Sequence, residues 1–255
     1  MELLKSINYD MVTTHLKSYK DNVLFALAVT TKKCKGFIYT DSNNDPKTFY
    51  IVTEYGMSWL CGEADNDSFN SLLFLYLKHN EDAKKQWIQA PNKAWWDVLT
   101  KFSNYLDVRI DNRVNFYFDE RNFKSINSNY EFIELNEQDF NSLNGLVTPN
   151  HFWSTYSLFN KYSKGFKLII NQETAAIAFG SYIDEHHLEI GIECFQPYRK
   201  KGYATLVASK LIDYCLENNL TPMWSCRLQN SGSYALAQKV GFRVSTITPY
   251  YNYSK

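Results

Sequence analysis

The chain has 255 residues, enough for one large domain or two ordinary ones. Apolar residues make up 45% and charged residues 21%, which excludes the class of disordered chains that carry much charge and little apolar surface. Lysine plus arginine and aspartate plus glutamate each total 27, so no net field draws the molecule to nucleic acid or to an anionic membrane, and any basic site must be local.

The five cysteines, Cys34, Cys61, Cys194, Cys215 and Cys226, are scattered and never spaced as CxxC, the usage of a reducing compartment rather than of a disulfide framework. The opening stretch MELLKSINYDMVTTHLKSYK is too polar for a secretory leader, and no run approaches the roughly 20 apolar residues of a membrane span. A cytoplasmic protein is expected, with neither membrane nor nucleic acid as partner. Oligomeric state is left open by the sequence.

In chain order, Val23 to Val29 (VLFALAV), Gly36 to Tyr39 and Thr48 to Val52 read as short strands, with turn chemistry in DSNNDP between the last two. Ser68 is the expected cap of a helix through FNSLLFLYLKHN, with Leu72, Leu73, Leu75, Tyr76 and Leu77 facing inward. A second helix covers KAWWDVLTKFSNYL, and VNFYFDE reads as a strand. Polar KSINSN, Lys124 to Asn129, then marks a boundary that divides the chain into 1–125 and 126–255. Beyond it, YEFIELNEQDFNSL restarts with a strand and an acidic helix start. Strands follow at Gly165 to Ile170, Ala175 to Tyr182 and Leu188 to Phe195, joined by turns at NQET and IDEH. A helix from Ala204 to Asn218, a strand at PMWSCR, a helix from Ser231 to Val240 and a strand after Gly241 complete the chain. Antiparallel strands that lead into β-α-β-α-β predict a mixed, largely antiparallel α/β (α+β) sheet flanked by helices, preceded by a smaller α/β N-terminal domain.

The chemistry concentrates in FQPYRKKGYATLVASKLIDYC. The first-turn N–H groups of a helix have no partner within it, and its dipole adds positive potential there. A glycine at that point admits a phosphate to the backbone, and flanking Arg and Lys neutralise it. A basic turn ahead of a helix is also an ordinary solvated surface element, so RKKGYA takes its meaning from its surroundings. Those are the strand HLEIGIECF, then Arg199-x-x-Gly202-x-Ala204, then Asn230-x-x-Ser233 opening a helix that ends in KVGF.

Over roughly Phe132 to Pro249 this arrangement resembles the GNAT superfamily of acetyl-CoA-dependent N-acetyltransferases. The segments LEIGIEC, YRKKGYAT, LIDYCLENNLTPMWSC and NSGSYALAQKVGF, with GFIYTDSNNDPKTFYIV and WLCGEADNDSF nearer the N-terminus, are similar to the bacterial branch that includes zwittermicin-resistance-type acetyltransferases. The resemblance implies acetyl-CoA as co-substrate, no metal, and an N-terminal half ahead of the catalytic one; that half is read as a degenerate copy of the same fold, although the sequence shows no repeat. It places Arg199, Lys200, Lys201, Gly202, Tyr203 and Ala204 around the CoA pyrophosphate, and Cys194 and Phe195 at the strand end whose backbone pairs with the pantetheine amides. It also puts Asn230 and Ser233 near the pantetheine or its ordered water, and implies that the strand splays from its neighbour after Trp224 to Cys226, a gap that admits the cofactor. One departure matters: many relatives carry a tyrosine seven residues after the asparagine as general acid, and here that residue is Ala237. Tyr234 lies near, but each residue stepped along a helix turns by about a hundred degrees, so it is no simple substitute.

A free alkylamine, which ordinarily titrates at about 10.4, is mostly protonated at neutral pH, so acyl transfer to it needs a base. Period-two alternation puts Glu189, Gly191 and Glu193 on one strand face. One of the two carboxylates is expected to be the base, directly or through water; the bland alternative is that both line a polar sheet face or bind a cationic substrate. The function expected is transfer of an acetyl group to a primary amine of a small molecule or peptide by direct attack. The rival class is a non-catalytic acyl-CoA-binding sensor. Weaker features read as structural: DEHH as a solvated turn rather than a metal site, His151 as a surface or satisfied histidine, Cys194 as packing rather than nucleophile, and Trp95 and Trp96 as core.

Overall fold

The computed structural model describes residues 1–79, 85–126 and 129–254. Asn127 and Ser128 of the expected boundary lie outside the described residues. Contacts divide the chain into two compact units, Met1–Arg113 with Thr248–Lys255, and Val114–Ile247. The division at Arg113 and Val114 falls inside a continuous strand, earlier than the polar stretch suggested, and the last residues return to the first unit. A strand carries no punctuation in sequence where it passes from one core to another.

In the first unit, β1 (Glu2–Leu3), β2 (Gly36–Thr40), β3 (Thr48–Thr53) and β4 (Met57–Gly62) follow one another, each antiparallel to the next. α1 (Tyr9–Leu16) and α2 (Leu24–Thr30) come between β1 and β2. α2 replaces the strand expected at Val23–Val29, and all seven of its residues are buried. A continuous apolar run does not distinguish a buried strand from a helix enclosed on all sides, and α1, β2 and β3 enclose this one.

After β4, α3 (Asp67–His79) crosses over to β5 (Lys85–Gln89), which runs parallel to β4 in the register Met57↔Trp87, Ser58↔Ile88, Trp59↔Gln89. α3 is capped by Asn66, whose Oδ1 accepts from the Phe69 amide at 3.0 Å, and not by Ser68. Its buried side is Phe69, Asn70, Leu73 and Leu77, whereas Leu72 and Leu75 are 42% and 47% exposed. A stretch this rich in leucine and aromatic residues hides its phase from sequence reading, and the cap two residues upstream sets it. α4 (Lys93–Phe102) follows, capped by Asn92.

The second unit takes in the end of β6 (Val108–Phe118), then β7 (Glu131–Glu134), α5 (Glu137–Ser142), α6 (Tyr156–Tyr162), β8 (Gly165–Ile170), β9 (Glu173–Ile183) and β10 (His187–Cys194). α7 (Tyr203–Glu217), β11 (Thr221–Arg227), α8 (Ser231–Lys239) and the first residues of β12 (Phe242–Ser254) complete it. β7 to β10 form an antiparallel meander, β11 lies parallel to β10, and β6 sits between β11 and β12. Val114 and Phe116 of β6 are buried in the same core as Leu168, Val207, Leu211, Trp224 and Phe242. Each such side chain, fully buried, contributes about 1.5–3 kcal/mol.

Turn chemistry sets these hairpins. Asn171 and Gln172, both at positive φ, make the tight turn between β8 and β9, the primed geometry that matches strand twist. Between β9 and β10 the Asp184 Oδ1 accepts from the His186 and His187 amides at 2.8 Å and faces His187 Nδ1 at 3.0 Å. This hydrogen bond raises the His187 pKa, and despite the opposing effect of burial the turn's donors hold Asp184 at about 2. The His187 contribution to stability is therefore complete below its unfolded value, about 6.5, and fades as pH rises through its raised folded value. The Asp184 contribution is present above about 3.8 and fades as pH falls toward about 2. Asp184→Asn is expected to cost more stability at pH 5 than at pH 9 and to lower the His187 titration midpoint; an unchanged midpoint in an NMR titration would refute the pairing.

A meander, a parallel strand reached through a helix, then a further helix and strand occur in both units. In the second unit the parallel register is His187↔Thr221, Leu188↔Pro222, Glu189↔Met223, so Trp59 of the first unit holds the place that Glu189 holds in the second. The connection ahead of α3, GEADND, is acidic, where the one ahead of α7 is basic. Among the described residues no helix is long and apolar enough to cross a membrane.

Candidate active site

The pairing of β10 with β11 runs only over the three pairs that end at Glu189↔Met223, although β10 continues to Cys194 and β11 to Arg227. The two strands part there, ahead of the Trp224 to Cys226 segment after which the gap was expected. Parted parallel strands leave backbone groups and one sheet face open to a ligand in the middle of a sheet.

On β10, Glu189 pairs with Tyr182, Gly191 with Phe179 and Glu193 with Ile177, while Leu188 and Ile190 belong to the core beneath α7. Glu189, Gly191 and Glu193 thus share the face away from α7, since side chains alternate along a strand. Gly191 lets the Phe179 ring lie across the strand: a Cβ there would meet that ring at 2.6 Å. Phe152 packs on Phe179 and Tyr182 with centroids 5.6 and 5.4 Å away, giving this face an aromatic floor.

The two carboxylates differ in their partners. Glu193 Oε2 accepts from the Leu146 and Val147 amides, both at 3.1 Å, and its Oε1 faces Arg199 at 3.1 Å. Glu189 is 4% exposed and accepts a hydrogen bond from the Ser225 hydroxyl on β11. Glu193 therefore fastens the segment 143–148 to the strand end. Glu193→Ala strands two amides and should cost about 1–3 kcal/mol, with little added by losing half-exposed Arg199. A fall in Tm of roughly 2–4 °C per kcal/mol is expected, and an unchanged Tm would refute the fastening role.

Beyond Cys194 the chain turns into α7 through the expected basic stretch. Lys200 at φ +62° and Gly202 at φ +85° flank Lys201, which does not share their left-handed conformation. Amides of a chain that alternates in hand converge into an anion-binding concavity. Gly202 is the N-cap, with no side chain capping the first turn, and a Cβ there would meet nothing within 4 Å. Glycine is favoured at this position by conformation, and the space around it is open. Lys200 and Lys201 are exposed, and the Lys201 ammonium lies 5.7 Å from the Tyr198 ring centroid. Tyr198 donates to Glu173 at 2.6 Å, a bond that raises its pKa and ties the loop to β9. The Tyr203 ring stands 5.9 Å from that of Tyr130 and 6.2 Å from that of Tyr198.

Several expected ligand residues already have structural partners. Arg199 folds back, its Nε donating to the Cys194 carbonyl at 2.8 Å, and the Phe195 amide donates to Ala175 O at 3.0 Å. Burial pushes the Cys194 thiol up and outweighs the opposing influence of Arg199 and the Ala204 amide. Asn230 caps α8 by accepting from the Ser233 amide at 3.1 Å, and Ser233 Oγ accepts from Trp224 Nε1 at 3.0 Å. Ala237 is buried, and Tyr234 packs edge-on against Phe116 at 5.4 Å.

Sequence reading passed over Ser225 and the amides of Leu146 and Val147. For Ser225 a signal existed: Trp224 and Cys226 are apolar and bracket it, so alternation turns it to the same side as Met223. For the loop amides there was none, because a backbone donor leaves no mark in sequence.

Comparison with known proteins agrees with this geometry. The family model described as GNAT acetyltransferase matches residues 14–251. An uncharacterized N-acetyltransferase, YdfB of Bacillus subtilis (strain 168), is 25% identical over 234 residues, 89% of this chain and 90% of the relative. The crystal structure of a GCN5-related N-acetyltransferase-like protein from Streptococcus suis 89/1591 superposes with a TM-score of 0.72 at 17% identity, covering 97% of this chain and 99% of that one. A tandem GNAT protein from the clavulanic acid biosynthesis pathway gives a TM-score of 0.63 at 7% identity over 98% of this chain and 97% of its own. The mixed sheet parted at Glu189 and Met223, the uncapped helix start beside it and a family match spanning both units lead to one conclusion: the chain belongs to the GNAT acetyltransferase family.

Proposed function

We propose that this N-acetyltransferase moves the acetyl group of acetyl-CoA to a primary amine of a small molecule or peptide by direct attack, in the reducing cytoplasm. The observation that carries this reading is the parting of β10 from β11 beside the left-handed basic turn at the start of α7. Lys200, Lys201 and the amides of Gly202, Tyr203 and Ala204 offer charge and donors to a pyrophosphate. The Cys194 carbonyl, with two lone pairs, accepts from Arg199 and retains capacity for a pantetheine amide. The acidic connection of the first unit offers no such cradle, so the nucleotide belongs in the second.

Glu189 is the favoured base. The oxygens of Glu193 already accept from two amides and face a guanidinium, an arrangement suited to positioning. Two carboxylates on the site face suit a cationic acceptor such as an amino sugar, a polyamine or a peptide N-terminus. The replacement of the usual tyrosine by Ala237 favours the rival reading, a sensor that binds acetyl-CoA without consuming it. Mass spectrometry of a cell metabolite extract incubated with acetyl-CoA and the protein decides: a new acetylated amine supports transfer, while acetyl-CoA bound and recovered intact overturns it in favour of the sensor.

A further inference from the structure

Glu189 is almost wholly buried, so a base at its carboxylate must be reached through another group. Ser225 is placed for that. It lies two residues past Met223, where the strands have already parted, and it is only half-buried. Trp224 and Cys226 on either side of it enter the core beneath α7 and α8, so Ser225 turns to the face of Glu189 and donates to that carboxylate. The acid role is vacant as well, with Ala237 in the tyrosine's place and Tyr234 packed on Phe116.

We propose that Ser225 is the proton shuttle of this site, with Glu189 as the reservoir behind it; the proposal rests on the acetyl-transfer reading. As the amine nitrogen bonds to the thioester carbonyl carbon, Ser225 Oγ accepts an N–H proton while passing its own to Glu189. When the C–S bond breaks and the sulfur leaves with the electron pair, Glu189 returns its proton to Ser225 and Ser225 protonates the thiolate. The amine has lost one proton, the thiol has gained one, and both side chains end as they began. A serine hydroxyl is too weak an acid to protonate a thiolate alone. A carboxylic acid is a stronger acid than a thiol, so a protonated carboxyl behind the hydroxyl makes the combined transfer downhill.

The test compares Ser225→Ala and Ser225→Thr with the wild type in steady state. Acetyl-CoA is the donor and spermidine, glucosamine and a dipeptide with a free N-terminus are the acceptors; acetyl-CoA hydrolysis is followed if none turns over. Ser225→Ala should lose about a hundredfold in kcat, the scale of general acid–base catalysis, with KM for acetyl-CoA within about twofold of wild type. Ser225→Thr, which keeps the hydroxyl, should recover most of the loss. In mixtures of light and heavy water the wild-type kcat should curve with deuterium content, as two protons moving together require, and Ser225→Ala should not. A Ser225→Ala kcat within threefold of wild type overturns the shuttle and leaves acetyl transfer standing. Equal loss in both variants with wild-type curvature retained assigns Ser225 to packing and also overturns it. A wild type that turns over nothing, hydrolysis included, removes the acetyl-transfer reading itself.

Discussion

Gly202→Glu is expected to abolish measurable acetyl-CoA binding while leaving the fold in place. The position is the uncapped start of α7, and a side chain built there meets nothing within 4 Å, so the new carboxylate projects into open space and not into the core. The substitution costs about 1–2 kcal/mol of left-handed strain at φ +85°, a modest change in Tm. It places negative charge where the pyrophosphate would sit, and like charges brought together cost several kcal/mol. At about 1.4 kcal/mol per tenfold, binding should weaken by more than about a hundredfold. Gly202→Ala carries the same strain without the charge and should retain most of the affinity. Calorimetric titration with acetyl-CoA measures all three proteins, and a Gly202→Glu variant that binds as the wild type does would remove the nucleotide from this loop.

Glu189→Gln should lower kcat by about a hundredfold, the scale of general base catalysis, with KM for acetyl-CoA little changed. The amide keeps an oxygen to accept the Ser225 hydroxyl bond, so the strands keep their geometry while the proton acceptor is gone. Glu193→Gln is the internal comparison. It retains an acceptor for the Leu146 and Val147 amides and gives up only the attraction to half-exposed Arg199, so its kcat should stay within about tenfold. If the larger loss falls on Glu193→Gln, the roles assigned to the two carboxylates are exchanged.

The second unit was the more legible in sequence because its signals are local. Apolar alternation marks β8 to β11, turn residues mark the hairpins, and Gly202 marks the start of α7. The shared face of Glu189 and Glu193 followed from counting by twos, since the β9–β10 irregularity adds its extra residue at Ser181 and leaves the alternation of β10 intact. The first unit was read less well. VLFALAV is apolar on every side, and only the surrounding elements decide that it is a helix. The phase of α3 turned on Asn66, outside the hydrophobic run. Partners distant in sequence escaped reading altogether: Glu189 and Ser225 stand 36 positions apart, and no pattern between them announces their hydrogen bond, while the fastening of residues 146 and 147 to Glu193 runs through backbone amides.

The position of β6 bears on any attempt to express the second unit alone. A fragment that begins after the polar stretch, at residue 126, looks self-contained in sequence but lacks Val114 and Phe116 from its core and the strand between β11 and β12. Asn115, whose side chain donates to Thr246 at 3.3 Å, and Asp119, whose amide pairs with Gly241, go with it. The excised piece would present two raw ladder edges and an apolar slot where one strand had been, the combination that drives strand exchange and aggregation. Insolubility of that truncation would thus reflect the missing strand between β11 and β12 rather than a helper role for the N-terminal half, and a fragment that starts before Val108 separates the two explanations.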